Sequence, residues 1–190
     1  MHCTDVQFRK ATRADISPIA QLISESAKAL SAGDYSSEQI AGALEGAWGV
    51  DTTLIDDRTY WVGATASSPT SPIACGGWSC RNTLFGGDQQ EDRNADLLDP
   101  RVDAARIRAF FVHPGWSRRG LGSELLRLCE AEALAAGFRQ ATLVATLPGE
   151  RLYARHGYIA QQRRIYPLPN GSMIEFVSMA RDLTANRTTS

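Results

Sequence analysis

The stretch Ile107 to Leu126, IRAFFVHPGWSRRGLGSELL, decides how the rest of the chain is read. It opens on Ala109-Phe110-Phe111-Val112, an apolar run of the aromatic and β-branched kind that suits a buried strand. His113-Pro114-Gly115 ends that strand, because proline has no amide hydrogen for a ladder and glycine permits a sharp turn. Ser117-Arg118-Arg119-Gly120-Leu121-Gly122-Ser123 follows, and behind it a pattern of helical period. Strand, glycine-rich turn and helix start together aim unpaired backbone N–H groups and the positive end of a helix dipole at one spot, which favours an anion. The two glycines let a ligand approach the backbone, and the two arginines can pair with phosphate. A plain turn leading into a solvated basic helix start is the other reading of the same residues.

Two familiar phosphate loops do not fit. No Lys-Ser/Thr follows the second glycine, as a nucleoside-triphosphate loop requires, and the third glycine of a dinucleotide fingerprint is missing. Both absences count against a nucleotide-phosphate binder. The spacing His113-Pro114-x-x-x-Arg118-Arg119-Gly120-x-Gly122 instead resembles the acetyl-CoA loop of the GNAT (GCN5-related N-acetyltransferase) superfamily, Gln/Arg-x-x-Gly-x-Gly/Ala. Ser117 stands where that family usually has Gln or Arg, and Arg118 is placed to supply the charge. Leu152-Tyr153-Ala154-Arg155-His156-Gly157-Tyr158 resembles the family's second signature, Leu-Tyr-x-x-x-Gly-Phe/Tyr, one helix and one strand downstream.

The resemblance, firm over Arg106 to Tyr158, implies an α/β GNAT fold. It would have a mixed, mostly antiparallel sheet of six to seven strands with flanking helices and a V-shaped splay between its two central strands. It implies an N-acetyltransferase that passes an acetyl group from acetyl-CoA to a primary amine by direct attack in a ternary complex. Backbone groups of Phe110, Phe111 and Val112 would hold the pantetheine arm as an added strand would. Arg118, Arg119, Gly120, Leu121, Gly122 and Ser123 would hold the pyrophosphate. Tyr153 occupies the place of the acid that protonates the leaving thiolate; as an aromatic it would also anchor a short helix. No motif singles out a general base, for which Glu150, His156, the acids of the long loop and a water chain are all open. The acceptor is a small-molecule amine or a peptide N-terminus. A non-catalytic acyl-CoA-binding or regulatory domain of the same fold is the alternative.

The outer chain gives bounds. At 190 residues, 43% hydrophobic and 22% charged, it is long and apolar enough for one packed domain, read here as 1–183 with a polar tail 184–190. A net charge of −1 gives no electrostatic ground for a nucleic-acid or membrane partner, and no secretory signal is visible, so a cytoplasmic location is expected. Homodimerisation stays open. Cys3, Cys75, Cys80 and Cys129 form no C-x-x-C pair and no zinc spacing, so reduced, non-ligating thiols and no metal site are expected. Cys75 and Cys80, five apart on one strand, point to opposite faces.

Taken in order, a first strand is expected at Val6–Lys10, a helix at Ala14–Leu30 behind a Thr12/Asp15 capping box, and a second helix from Ser36 to Trp48. Strands follow at Thr59–Ala64 and Ile73–Cys80 as a hairpin, with Gly76-Gly77 marking a bulge or a close approach, and Trp78 either in the core or at a pocket. Residues 82–99 show no period and carry Asp88, Glu91, Asp92, Asp96 and Asp99. They read as a solvated insertion or as an acidic flap for a cationic amine. Val102–Val112 is the central strand, and Arg119–Ala136 a helix with Leu121, Leu125, Leu128, Cys129 and Glu132 on one stripe, ended by Gly137. Ala141–Ala145 is a short strand and Pro148 opens a short helix. Ile159–Tyr166 and Met173–Met179 close the sheet as a hairpin.

Overall fold

The computed structural model describes residues 5–83, 85–89 and 96–185. Seven strands form one sheet: β1 (Val6–Lys10), β2 (Tyr60–Thr65), β3 (Ala74–Ser79), β4 (Ala105–Val112), β5 (Gln140–Thr146), β6 (Ile159–Pro167) and β7 (Met173–Asp182), in the order β1-β2-β3-β4-β5-β7-β6. Every neighbouring pair is antiparallel except β4 and β5. The helices are α1 (Ile16–Leu30), α2 (Ser37–Glu45), α3 (Thr52–Asp56), α4 (Leu121–Ala135) and α5 (Leu147–Arg155).

Local chemistry explains most of the boundaries. The Thr12/Asp15 capping box forms, but around a 3₁₀ turn at Arg13–Asp15, so α1 itself begins at Ile16. Arg9 reaches from β1 to grip Asp15 with two hydrogen bonds of 2.8 and 2.7 Å. That guanidinium, helped by the Thr12 backbone and hydroxyl, holds the Asp15 carboxyl down at about 2. Ser36 and Gln39 cap α2 reciprocally, yet the helix stops at Glu45 rather than at Trp48, because Gly46 takes a non-helical conformation (φ −144°, ψ −69°). The α3 turn was not anticipated; Asp51 caps it, its side chain accepting from the Thr53 N–H at 3.2 Å.

The central strand starts at Ala105, not Val102: Val102 is exposed and sits in a turn whose amide hydrogen bonds run back to Asp99. On α4 the buried stripe is Leu121, Leu125, Leu126, Cys129 and Ala133, with Leu128 only half-buried. Glu132 lies beside that stripe and accepts from the indole N–H groups of Trp61 (3.1 Å) and Trp78 (2.9 Å) while pairing with Lys10. Trp78 is thereby a core residue, edge-on to Phe138. Gly137, at φ 95°, ends α4 in the left-handed conformation expected of it. Cys75 and Cys129 are buried free thiols, and Cys80 is half-buried on the other side of β3 from Cys75. Cys3 lies outside the described residues. Part of the 82–99 stretch is ordered by pairing: Arg81 bridges Leu97, and Leu98 donates to the Cys80 carbonyl at 2.8 Å. Glu91 and Asp92 lie outside the described residues.

The Gly76-Gly77 pair does mark a bulge. Cys75 faces Phe111 and Gly77 faces Arg108, so Gly76 alone opposes both Ala109 and Phe110 of β4. Ala109 takes up the extra length in the left-handed region at φ 57°, a conformation costing a residue with a Cβ about 1–2 kcal/mol. The buried Tyr60 hydroxyl (3.4 Å) and Cys75 thiol (3.8 Å) both point at its carbonyl and fix it there. Only glycine fits at 76, where a Cβ would lie 2.6 Å from the Phe110 ring.

Two outcomes test this packing. Gly76→Ala is expected to lower stability by roughly 1–3 kcal/mol in urea unfolding, the range for forced overpacking. The folded Asp15 carboxyl titrates below its unfolded value of ~3.9, so the Arg9 pair stabilises fully above that pH and its contribution is lost as pH falls towards about 2. Asp15→Asn should therefore lower stability at neutral pH and flatten the acid limb of the stability curve between those values.

Candidate functional site

The site grows from the point where β4 and β5 part. They pair in parallel only at Ala105–Ala141 and Arg106–Thr142. From Ile107 onward, among the described residues, no strand pairs with the edge of β4 that faces β5, and a V-shaped cleft opens along it. The bulge at Ala109 re-aims the backbone where the cleft begins to widen.

At the end of β4 the chain turns through Pro114–Trp116, capped by the His113 ring, which accepts from the Gly115 N–H at 3.1 Å. Arg118 (φ 62°) and Gly120 (φ 85°) are both left-handed, which folds the turn tightly into α4. Side chains cap α2, α3 and α5, but the residue before α4 is Gly120 and offers none. The first helical hydrogen bond comes from Glu124 to Gly120, so the N–H groups of Leu121, Gly122 and Ser123 have no helical acceptor. They carry the positive end of a fifteen-residue helix. A Cβ at Gly120 would meet nothing within 4 Å, whereas at Gly122 it would come within 3.0 Å of Leu152. The first glycine keeps a strained turn open, and the second lets α4 pack against α5.

A continuous cavity of about 480 Å³ joins this turn to the cleft. Its wall contains Phe110, Phe111 and Val112 of β4, then Arg118, Gly120, Leu121, Gly122 and Ser123 of the turn, and Tyr153 of α5. Those are the residues singled out from the sequence, with the exception of Arg119, whose guanidinium lies 4.9 Å from the centre of the Trp116 ring. Ser117 also lines the wall, next to Arg118.

Tyr153 is placed by the Thr146 cap and Pro148 at the start of α5. Its ring stands edge-on to Phe110 (6.1 Å) and Tyr158 (5.8 Å), and burial pushes its phenol above the ordinary tyrosine value. The anchoring role and a place in the cavity wall are thus combined in one side chain. The two named base candidates are otherwise engaged. Glu150 pairs with Arg163 at 2.9 Å, and His156 shares a 2.8 Å hydrogen bond with Ser123.

Arg108 belongs to the site without any motif to mark it in the sequence. It lies on β4 beneath the cavity, buried, with its guanidinium 2.7 Å from the buried Asp51 carboxylate and donating to the Gly86 carbonyl at 2.7 Å. An arginine inside an apolar strand was the available signal; its partner, far off in sequence, was not. Among the described residues no group of three or more His, Cys, Asp and Glu could hold a metal ion, and no helix is long and apolar enough to cross a membrane.

A seven-stranded mixed sheet splayed at the parallel β4–β5 pair, with a glycine turn feeding the helix beside the splay, is the GNAT fold. Residues 73–160 match the family model for the acetyltransferase (GNAT) domain. Solved structures agree on the fold. A GCN5-related N-acetyltransferase from Rhodopseudomonas palustris superposes with a TM-score of 0.70 at 19% identity, covering 96% of this chain and 98% of its own. The PaiA N-acetyltransferase of Thermoplasma acidophilum, solved with coenzyme A, gives 0.63 at 14% identity, covering 93% and 98%. The ribosomal-protein-S18-alanine N-acetyltransferase of Escherichia coli gives 0.56 at 13% identity, covering 97% and 99%. A search of curated proteins found no significant match.

Asp51→Ala would leave the Arg108 charge buried without its carboxylate and remove the α3 cap. A loss of roughly 3–5 kcal/mol is expected in urea unfolding, and Asp51→Ala with Arg108→Met should lose less than the two single changes summed.

Proposed function

We propose that the protein is an N-acetyltransferase that moves the acetyl group of acetyl-CoA to a primary amine by direct attack in a ternary complex. The observation that carries this reading is the continuity of one cavity from an uncapped helix start to an unpaired strand edge. A phosphate-binding end and a backbone able to receive an amide-bearing arm lie on one path. The residues fit such a co-substrate: the N–H groups of Leu121 to Ser123, with Arg118 beside them, would hold the pyrophosphate. The free edge of Phe110 to Val112 would hydrogen-bond the pantetheine amides as an added strand. When bound, acetyl-CoA would supply the activated acyl group; the remaining roles belong to the chain.

The backbone of β4 at the bulge would offer an N–H to the acyl oxygen as charge builds there, a donor fixed in advance by the Tyr60 and Cys75 contacts to Ala109. Tyr153 would give its proton to the departing thiolate. Burial keeps its phenol protonated through the physiological range, so the donor is always loaded, and solvent reloads it after turnover. Glu150 and His156 are held by Arg163 and Ser123, and the charged side chains in the described wall are arginines. That setting disfavours an ammonium and favours the free amine as the attacking species. The non-catalytic alternative has no observation of its own in its favour.

Tyr153→Phe is expected to lower turnover roughly 10²- to 10⁴-fold, the span of general acid–base contributions, with acetyl-CoA affinity nearly intact. Steady-state kinetics by thiol release beside a binding titration checks this; unchanged turnover removes the acid assignment. With a subsaturating acceptor, the rate should rise with pH up to the acceptor's own ionisation and show no tyrosine-dependent fall near neutrality.

A further inference from the structure

Away from the glycine turn, the cavity ends in a compartment of different chemistry. Its wall is built from Leu30 of α1, Trp48 behind α2, Phe85 of the β3–β4 connection and Phe176 of β7. Phe176 sits 6.5 Å from Trp48 and 5.9 Å from Phe85, centre to centre. Tyr35 backs Trp48 at 5.9 Å and Tyr166 backs Phe85 at 4.8 Å, so the rings form one packed group. Ser26 and Ser31 add hydroxyls.

Phe85 is not a loose loop residue. Arg108 donates to the carbonyl of the next residue, Gly86, at 2.7 Å. The Asp88 N–H donates to the Val50 carbonyl at 2.9 Å, and the Asp88 carboxylate accepts from the Thr52 N–H at 3.0 Å. Gly87 lies so close to Gly49 that a Cβ on it would be 2.7 Å from the Gly49 Cα. Three polar contacts and a glycine–glycine approach thus set the ring in the wall before any ligand arrives.

The charges point the same way. The charged side chains of the described wall are Arg108, Arg118, Arg151 and Arg155, and Arg108, which donates to the carbonyl of Gly86 beside Phe85, is balanced by Asp51. Asp88, the described acid of the 85–89 stretch, spends its carboxylate on Thr52 and does not line the cavity. The ring faces take an apolar body, and the reacting amine reaches them as the free base. Among the described residues of the wall, an ammonium elsewhere on the acceptor would meet guanidinium groups or their neutralised pair.

We propose that the acceptor is a primary amine carried on an aromatic or bulky apolar body, seated against Trp48, Phe85 and Phe176, and that aliphatic polyamines are poor acceptors. This rests on the acetyl-transfer reading above and names the substrate class for it. Phe85 and Trp48 are then specificity-determining residues. Over residues 85–89, where the sequence offers a solvated insertion or an acidic flap, this reading puts an aromatic wall held in place by Asp88.

The test compares thiol release with 2-phenylethylamine, tryptamine and a pentapeptide beginning with Phe against putrescine and spermidine, in the wild type, Phe85→Leu, Phe85→Ala and Phe85→Glu. Phe85 is half-buried on a loop, so these variants should fold, and acetyl-CoA should raise their Tm as it does that of the wild type. The expected result is a kcat/KM at least tenfold higher for the aromatic amines than for the polyamines. That ratio should survive in Phe85→Leu, drop about tenfold in Phe85→Ala, and narrow or invert in Phe85→Glu; the peptide arm separates a free amine from a chain terminus. Preference for spermidine, or a ratio untouched by Phe85→Ala and Phe85→Glu, overturns the inference. If acetyl-CoA neither raises Tm nor supports turnover, the transfer reading has failed separately. Calorimetry of 2-phenylethylamine against putrescine then decides the acceptor class: Phe85-dependent binding of the aromatic amine upholds it, and its absence sinks it.

Discussion

Two central strands that pair over two residues and then stop are the constraint on which this molecule depends. A parallel ladder ordinarily continues for the length of its strands, because backbone N–H and C=O groups left without partners are costly. Here β4 runs on for six residues beyond its last ladder pair with β5. The sheet stays intact because β3 holds the other edge of β4 and β7 holds β5 along its whole length. The exposed inner edge is stored binding capacity, and everything else in the site is arranged around it. The bulge turns the backbone at its mouth, the glycine turn closes one end, and the aromatic compartment closes the other.

The strain in the structure is concentrated along that same path. Two of the non-glycine residues at positive φ, Ala109 and Arg118, lie at the bulge and at the glycine turn, and Gly120 joins them. Each is held by neighbours rather than by preference: Ala109 by Tyr60 and Cys75, and Arg118 by the tight passage from the Pro114–Trp116 turn into α4. Burial pushes the Cys75 thiol up to about 12 and raises Tyr60 as well, so both remain neutral donors to that carbonyl over any ordinary pH. Rigid positioning of a backbone donor costs stability in the folded protein and favours the charge that develops during reaction.

What could be read from sequence follows the range of the interactions. The strand–turn–helix at 107–126, the Thr12 and Ser36 capping boxes, the glycine end of α4 and the Gly76 bulge rest on neighbours a few residues apart, and each is found in the structure. Tyr153 and the glycine turn were brought together by two motifs in one order, and the fold puts them on one cavity. Val102 misled because its apolar side chain is simply exposed, while α3 was missed because five residues are too few to show a period. The Arg108–Asp51 pair and the ring group of Trp48, Phe85 and Phe176 were not legible. Their members sit on elements that meet only when the sheet closes, and no local pattern announces a contact between α3, a loop and β4. The glycine turn and Tyr153 are written locally; the aromatic compartment is written in the tertiary fold.

What the open edge and the uncapped helix receive decides the function of the fold. The most direct measurement is calorimetric titration of the purified protein with acetyl-CoA, with ATP and NAD as controls. Saturable one-to-one binding of acetyl-CoA, with neither control competing, is the predicted result. Failure to bind acetyl-CoA, or equal binding of ATP, would contradict it and leave the glycine turn as a structural corner of the fold.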